Sequence, residues 1–130
     1  MGGPLAGHDG PVHSVAFTAV PGGGPLLASG GDDQTVRIWD PLTGEPVGGP
    51  LAGHTGWVRS VTFAVTSAGR PLLASGGGDK TIRIWDALAG TPVAEFHRRS
   101  TVRCLAATGP LLAIGDDEGL TVIEPGEPRR

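Results

Sequence analysis

The sequence predicts an all-β chain built from a tandem repeat, on three observations. The dipeptide Trp39-Asp40 recurs as Trp85-Asp86, and Gly7-His8 recurs as Gly53-His54, each 46 residues further on. Apolar residues alternate with a period of two in short runs bounded by Gly, Pro or Asp, and no stretch keeps a helical period over ten residues. The 23 glycines and 12 prolines return at the same places in successive copies, so they mark turns, whereas an aperiodic spread would signal disorder.

Residues 1–46 laid over 47–92 without a gap agree at 29 of 46 positions, which is a tandem duplication. A third, degenerate copy occupies about 93–130. Val102-Arg103-Cys104-Leu105 echoes Val12-His13-Ser14-Val15, and Leu112-Ala113-Ile114-Gly115 echoes Leu27-Ala28-Ser29-Gly30, while Ile123-Glu124 stands for Trp-Asp. Four strands are expected in the first copy, at about 12–18, 25–30, 34–40 and 45–51. The second copy predicts 58–64, 71–76, 80–86 and 91–96. The third offers only 101–107, 110–114 and 119–124, so it lacks its own outer strand.

Composition excludes several classes of function. The net charge is −3 and the only basic clusters are Arg98-Arg99 and Arg129-Arg130, too small to track a nucleic-acid backbone. No segment approaches the roughly 18 apolar residues of a membrane span, and Met1-Gly2-Gly3-Pro4 lacks the charged and apolar regions of a secretory signal, so a cytoplasmic location is expected. Cys104 is the only cysteine, which rules out an internal disulfide; its alternating apolar run predicts a small buried hydrophobe. Abundant Gly and Ala, with Arg favoured over Lys, has the look of a GC-rich coding sequence, and a bacterial source is expected.

Strand-rich repeats of this length, with Gly-His near the start and Trp-Asp near the end, resemble the WD-repeat (tryptophan-aspartate repeat) family, whose fold is the β-propeller. The resemblance rests on Leu5-Ala6-Gly7-His8, Asp33 and Thr35-Val36-Arg37-Ile38-Trp39-Asp40, with their counterparts at Leu51 to His54, Asp79 and Thr81 to Asp86. It implies a partial propeller of about three four-stranded antiparallel blades, one WD-repeat region over 1–130. It also implies a hydrogen-bonded quartet inside each blade: His8, Ser29, Asp33 and Trp39, then His54, Ser75, Asp79 and Trp85. The third copy keeps only Asp117 at the matching acid position, with Ile114 and Ile123 replacing Ser and Trp and with His97 or Arg98 near the His site. Packing alone is expected to hold it.

Reactive readings of the same residues are weaker. Ser29, His8 and Asp33 have the composition of a hydrolytic triad, but Ala28-Ser29-Gly30 is not a nucleophile elbow and the set recurs as a structural element would. Gly76-Gly77-Gly78-Asp79-Lys80-Thr81 has Asp where a phosphate-binding loop needs Gly before the Lys. His8, His13, His54 and His97 lack metal-ligand spacing, and Asp32-Asp33 and Asp116-Asp117-Glu118 lack the spaced oxygens of a calcium loop. No catalytic residue, metal or cofactor is expected.

The resemblance implies instead a non-catalytic scaffold for protein partners, docked at a rim. Trp57 replaces Pro11 of the first copy just before a strand, and exposed aromatics near charges serve as binding anchors. His13, Gln34, Trp57, Arg59, Lys80 and Arg103 form the candidate patch. Three blades cannot close a ring, which takes roughly four to eight. Met1 falls in register with Val47 inside a fourth strand, and Gly126-Glu127-Pro128 aligns with Gly44-Glu45-Pro46. The expectation is therefore the C-terminal blades of a larger propeller. The alternatives are a fragment without independent activity or a half-propeller that pairs with a second copy.

Overall fold

The computed structural model describes residues 5–20, 22–66 and 68–124. Ten strands follow in chain order: β1 (Val12–Ala19), β2 (Pro25–Gly31), β3 (Val36–Trp39), β4 (Val58–Val65), β5 (Pro71–Gly77), β6 (Thr81–Asp86), β7 (Thr91–His97), β8 (Val102–Thr108), β9 (Leu111–Asp116) and β10 (Gly119–Ile123). They make three antiparallel sheets, β1-β2-β3, β4-β5-β6-β7 and β8-β9-β10. No helix occurs among the described residues, and the architecture is that of three propeller blades. The positions aligned at the two chain ends, Met1 and Gly126-Glu127-Pro128, lie outside the described residues.

The repeat is visible in the register. Val12 pairs with Gly31, Val58 with Gly77 and Val102 with Asp116, and each pairing is followed by the same one-residue shift before Ser14, Ser60 and Cys104. The third strands start later than expected, at Val36 and Thr81. Gln34 (φ 68°) and Lys80 (φ 66°) adopt left-handed backbone in the preceding turns, a conformation that cannot continue a ladder.

One expected strand is corrected. Residues 45–51 do not form a strand; they touch β3 through isolated bridges, Trp39 to Pro46 and Val36 to Leu51. Pro46 and Pro50 have no N–H to give, and Gly48 at φ 77° turns the backbone away between them. The second sheet, with β7 along the whole of β6, has the full four strands.

The core lies between sheets. Leu26, Ala28, Val36 and Ile38 of the first sheet meet Val58, Val61, Phe63, Leu73 and Trp85 of the second in one buried cluster. Leu72, Ala74, Ile82 and Ile84 meet Val102, Leu112 and Ile114 of the third in another. Both interfaces use the same two devices. A valine fills the space left by a glycine: a Cβ on Gly30 would lie 2.4 Å from Val58 Cγ1, and one on Gly76 would lie 2.5 Å from Val102 Cγ1. A serine hydroxyl then accepts a backbone N–H from the next sheet, Val61 N to Ser14 Oγ at 3.1 Å and Leu105 N to Ser60 Oγ at 3.0 Å.

Each outer sheet has one face that no sheet covers among the described residues. On the first it presents Val12, Val15 and Phe17, the last 68% exposed. On the third, Ala106, Ala107, Thr108, Leu111, Ala113 and Val122 line an apolar depression. Cys104 belongs to that face and is exposed, which corrects its expected burial. Its register is that of Ser14 and Ser60, whose hydroxyls reach the next sheet, so its burial depends on a neighbour rather than on its own sheet.

Candidate functional site

The four polar residues singled out in each full repeat meet inside their own sheet. In the second sheet the Trp85 indole N–H donates to Ser75 Oγ at 2.9 Å, and Ser75 Oγ lies 2.7 Å from His54 Nε2. His54 Nδ1 stands 2.9 Å from Asp79 Oδ2. In the first sheet Trp39 Nε1 donates to Ser29 Oγ at 2.9 Å, which is 2.6 Å from His8 Nε2, and His8 Nδ1 is 3.0 Å from Asp33 Oδ2. Ser29 and Ser75 are placed by the middle strands, Trp39 and Trp85 by β3 and β6, and the acids by the turns between them.

Counting protons fixes the state of His54. Ser75 Oγ already accepts the indole N–H, so its own proton needs an acceptor, and a neutral ring with a bare Nε2 supplies one. Nδ1–H then donates to the Asp79 carboxylate. Burial lowers the His54 pKa below its ordinary 6.5, against the pull of Asp79, in keeping with that tautomer. Asp33 shows the opposite balance: burial pushes its carboxyl up, but the N–H of Asp9, the hydroxyl and N–H of Thr35 and the His8 ring outweigh it, down to about 2. Asp79 is lowered by the same kind of donors, Thr55 N–H and the Thr81 hydroxyl ahead of His54, against its own burial.

Sequence reasoning missed two participants. Thr35 Oγ1 donates to Asp33 Oδ1 at 2.9 Å and Thr81 Oγ1 to Asp79 Oδ1 at 2.8 Å, with each Thr N–H adding a bond to the same oxygen. The signal was the Asp-x-Thr spacing repeated in register, which closes a side-chain turn. It also overlooked why Gly precedes each His. A Cβ on Gly7 would come 2.9 Å from Trp39 Cη2 and 3.0 Å from Arg37 Nη1, and one on Gly53 would come 2.9 Å from Arg83 Nη1.

The third sheet departs from the expectation of packing alone. Arg98 Nε donates to Asp116 Oδ2 at 3.2 Å and Arg98 Nη2 to Thr121 Oγ1 at 2.9 Å, and the Asp116 side chain is only 3% exposed. An ion-paired clasp stands where the other sheets have a quartet. The register also moves Asp117: with Asp116 opposite Val102, as Gly31 is opposite Val12, Asp117 takes the position of Asp32, and Glu118 that of Asp33. Asp117 serves the rim, accepting from Arg103 Nε at 2.7 Å.

Chemically, the quartets are poorly suited to attack on a substrate. Ser75 is fully buried and Ser29 nearly so, and each hydroxyl oxygen is already shared between an indole and an imidazole. Among the described residues no three His, Cys, Asp or Glu side chains gather as a metal site.

The six rim candidates lie at one end of the stack. The pairing of Val12, Val58 and Val102 with the ends of β2, β5 and β9 puts His13 beside the turn that carries Gln34, Arg59 beside the turn that carries Lys80 and Arg103 beside the turn that carries Asp117. Trp57 is 48% exposed and joins two sheets: its ring stacks on His13 at 5.3 Å between centroids, and the Arg59 guanidinium lies 5.4 Å from its centre. Gln34 Nε2 reaches Thr55 O across the same junction at 3.4 Å. His13 is hydrogen-bonded to Asp32 and Arg103 to Asp117.

The family described as "WD domain, G-beta repeat" matches residues 3–40 and 44–86. The chain belongs to the WD40 repeat family. Its WD40 blades superpose on the solved structure of U3-55K with a TM-score of 0.79 at 21% identity, over 92% of this chain and 36% of that one. Among curated proteins it is similar to the periodic tryptophan protein 2 homolog of Schizosaccharomyces pombe, 61% identical over 36 residues, or 28% of this chain and 4% of that protein. It is also similar to the ribosome biogenesis protein erb1 of Neurospora crassa, 56% identical over 41 residues, or 32% of this chain and 5% of that one. The chain thus spans only a small part of these WD40 relatives. They are fungal, which overturns the expected bacterial source. Turns demand Gly and Pro in a strand repeat of any source, so that part of the composition carries no mark of bacteria.

Proposed function

We propose that the chain is a non-catalytic scaffold that docks protein partners on the rim formed by His13, Gln34, Trp57, Arg59, Lys80 and Arg103. The observation that carries this reading is Trp57, an aromatic side chain left half in water while stacked between a histidine of one blade and an arginine of its own. A rigid, partly exposed ring with an arginine and a histidine beside it loses little entropy on binding and buries much area. The quartets keep that rim in place and carry out no reaction. One matched relative, erb1, is named for ribosome biogenesis, and a process of many components is one that a docking scaffold fits.

We read the 130 residues as one WD-repeat region and its blades as the C-terminal ones of a larger ring. Two uncovered faces support this: Val12, Val15 and Phe17 are the counterparts of Val58, Val61 and Phe63, which are buried wherever a preceding blade is present. The cytoplasm is the proposed compartment, in keeping with a single cysteine, Cys104, that has no partner in these 130 residues for a disulfide. No role for nucleic acid or membrane is proposed.

A photo-crosslinking amino acid at position 57 tests the docking surface, with position 42 as control on the opposite rim, where Leu42 is also exposed. Protein adducts at 57 that are absent at 42 support the reading, and equal adducts contradict it. Ser29→Ala tests the catalytic alternative: loss of a hydrolytic activity with folding retained would revive it.

A further inference from the structure

The three blades place a basic side chain at one repeated rim position: His13, Arg59 and Arg103 each follow the valine that opens the inner strand. Two of the three have an acid waiting. His13 bonds to Asp32 and Arg103 to Asp117, and these acids share one register position, the residue after the one paired with Val12 or Val102. In the second blade that position is Gly78. Arg59 therefore lacks the carboxylate partner its neighbours have.

The consequences are visible around Arg59. Among the described residues it joins no ion pair, and its Nε is buried without a hydrogen-bond partner. Arg37 and Arg83 also have unpartnered Nε atoms, but they pack beneath Gly7 and Gly53, inside their blades. The Asp117 carboxyl is lowered chiefly by its bond to Arg103, with the charge of Arg59 the smallest of its causes, and its hydrogen bonds go to Arg103. Gly78 is not kept small by crowding: a Cβ there would meet nothing closer than Trp57 N at 3.8 Å. An aspartate fits the space, and the second blade leaves it out.

We propose that Arg59, backed by Trp57, is the recognition point for a carboxylate of an acidic peptide segment on a protein partner, which takes the place that Asp32 and Asp117 occupy in the flanking blades. A planar guanidinium offers a forked pair of donors that a carboxylate matches, and an aromatic face behind it limits hydration and motion. Asp117 already feels the charge of Arg59 and Asp79 follows Gly78 in the chain, so the site takes one acidic group and repels a run of them. A single unpaired arginine between those acids also disfavours a nucleic-acid backbone, which needs several cations in a row. The inference rests on the rim reading and specifies the chemistry of its partner.

The intramolecular competitor Gly78→Asp gives the test. The ¹⁵N-labelled chain is titrated with a ten-residue peptide carrying one Glu among Gly and Ser, and with the same peptide carrying Gln. The expected result is saturable movement of the Trp57 indole and Arg59 Nε–H signals by the Glu peptide alone, weakened about tenfold or more by Gly78→Asp and by Arg59→Gln and by added salt. Unmoved Trp39 and Trp85 indole signals show that the variants fold. Three results overturn the inference: Gln and Glu peptides binding alike, undiminished binding in Gly78→Asp, or no movement of the Arg59 signal by the Glu peptide. Equal binding of the two peptides at Trp57 leaves the rim reading standing. Binding of an RNA oligomer at Arg59 in preference to the Glu peptide sinks both.

Discussion

Val58 occupies the space that Gly30 leaves empty, with Val58 Cγ1 only 2.4 Å from where a glycine Cβ would be built. The pair joins two blades, and Gly76 with Val102 repeats it. Gly30→Ala should therefore force the blades apart and cost about 1–3 kcal/mol, the range for overpacking a filled core. Gly24→Ala, where nothing lies within 4 Å, should be near neutral. Urea unfolding of both variants checks the contrast.

Ser75→Ala removes one oxygen and strands two buried groups, the Trp85 indole N–H and His54 Nε2. The expected loss is about 1–3 kcal/mol, the cost of leaving a buried donor unsatisfied. Thermal unfolding should show the variant melting lower with its fold retained.

Stability should fall with acid in two steps. The folded-state pKa of His54 is depressed, so the unfolded chain binds its proton first, and stability present above pH 6.5 is lost as the pH falls through the folded value. Asp33, depressed from 3.8 to about 2, contributes stability that is complete above pH 3.8 and lost on the way down to about 2. Denaturant titrations between pH 8 and 5 should show the first decline, and His54→Gln should flatten it.

Arg98→Ala leaves the Asp116 carboxylate buried and unpaired in the third blade. Hydrogen exchange should quicken in β8, β9 and β10 while β5 keeps its protection, because the Arg98 side chain bonds Asp116 and Thr121 of the third blade, while only its backbone N–H is held by the second, at Lys80 O. Equal loosening of the second blade would contradict that placement.

The period of 46 and the recurrence of Gly-His and Trp-Asp made the blades and the quartet residues legible, since each polar residue is constrained by its own sheet. What depends on a neighbouring sheet was harder to read. Cys104 looked buried because its strand alternates, yet its face awaits another blade. The clasp of Arg98 with Asp116 and Thr121 was missed because it replaces the Ser, His and Trp chemistry with an ion pair at shifted positions. The rim contrast at Arg59 was present as Asp32 against Gly78, but only the register showed that both stand at the same position relative to a basic side chain.

Proton exchange at the three indoles puts the internal fastening to its plainest test. The Trp39 and Trp85 indole N–H groups donate to buried serines, while Trp57 stands half in water. Protection of the first two by orders of magnitude over Trp57 is the predicted result. Three indoles exchanging at one rate would contradict it.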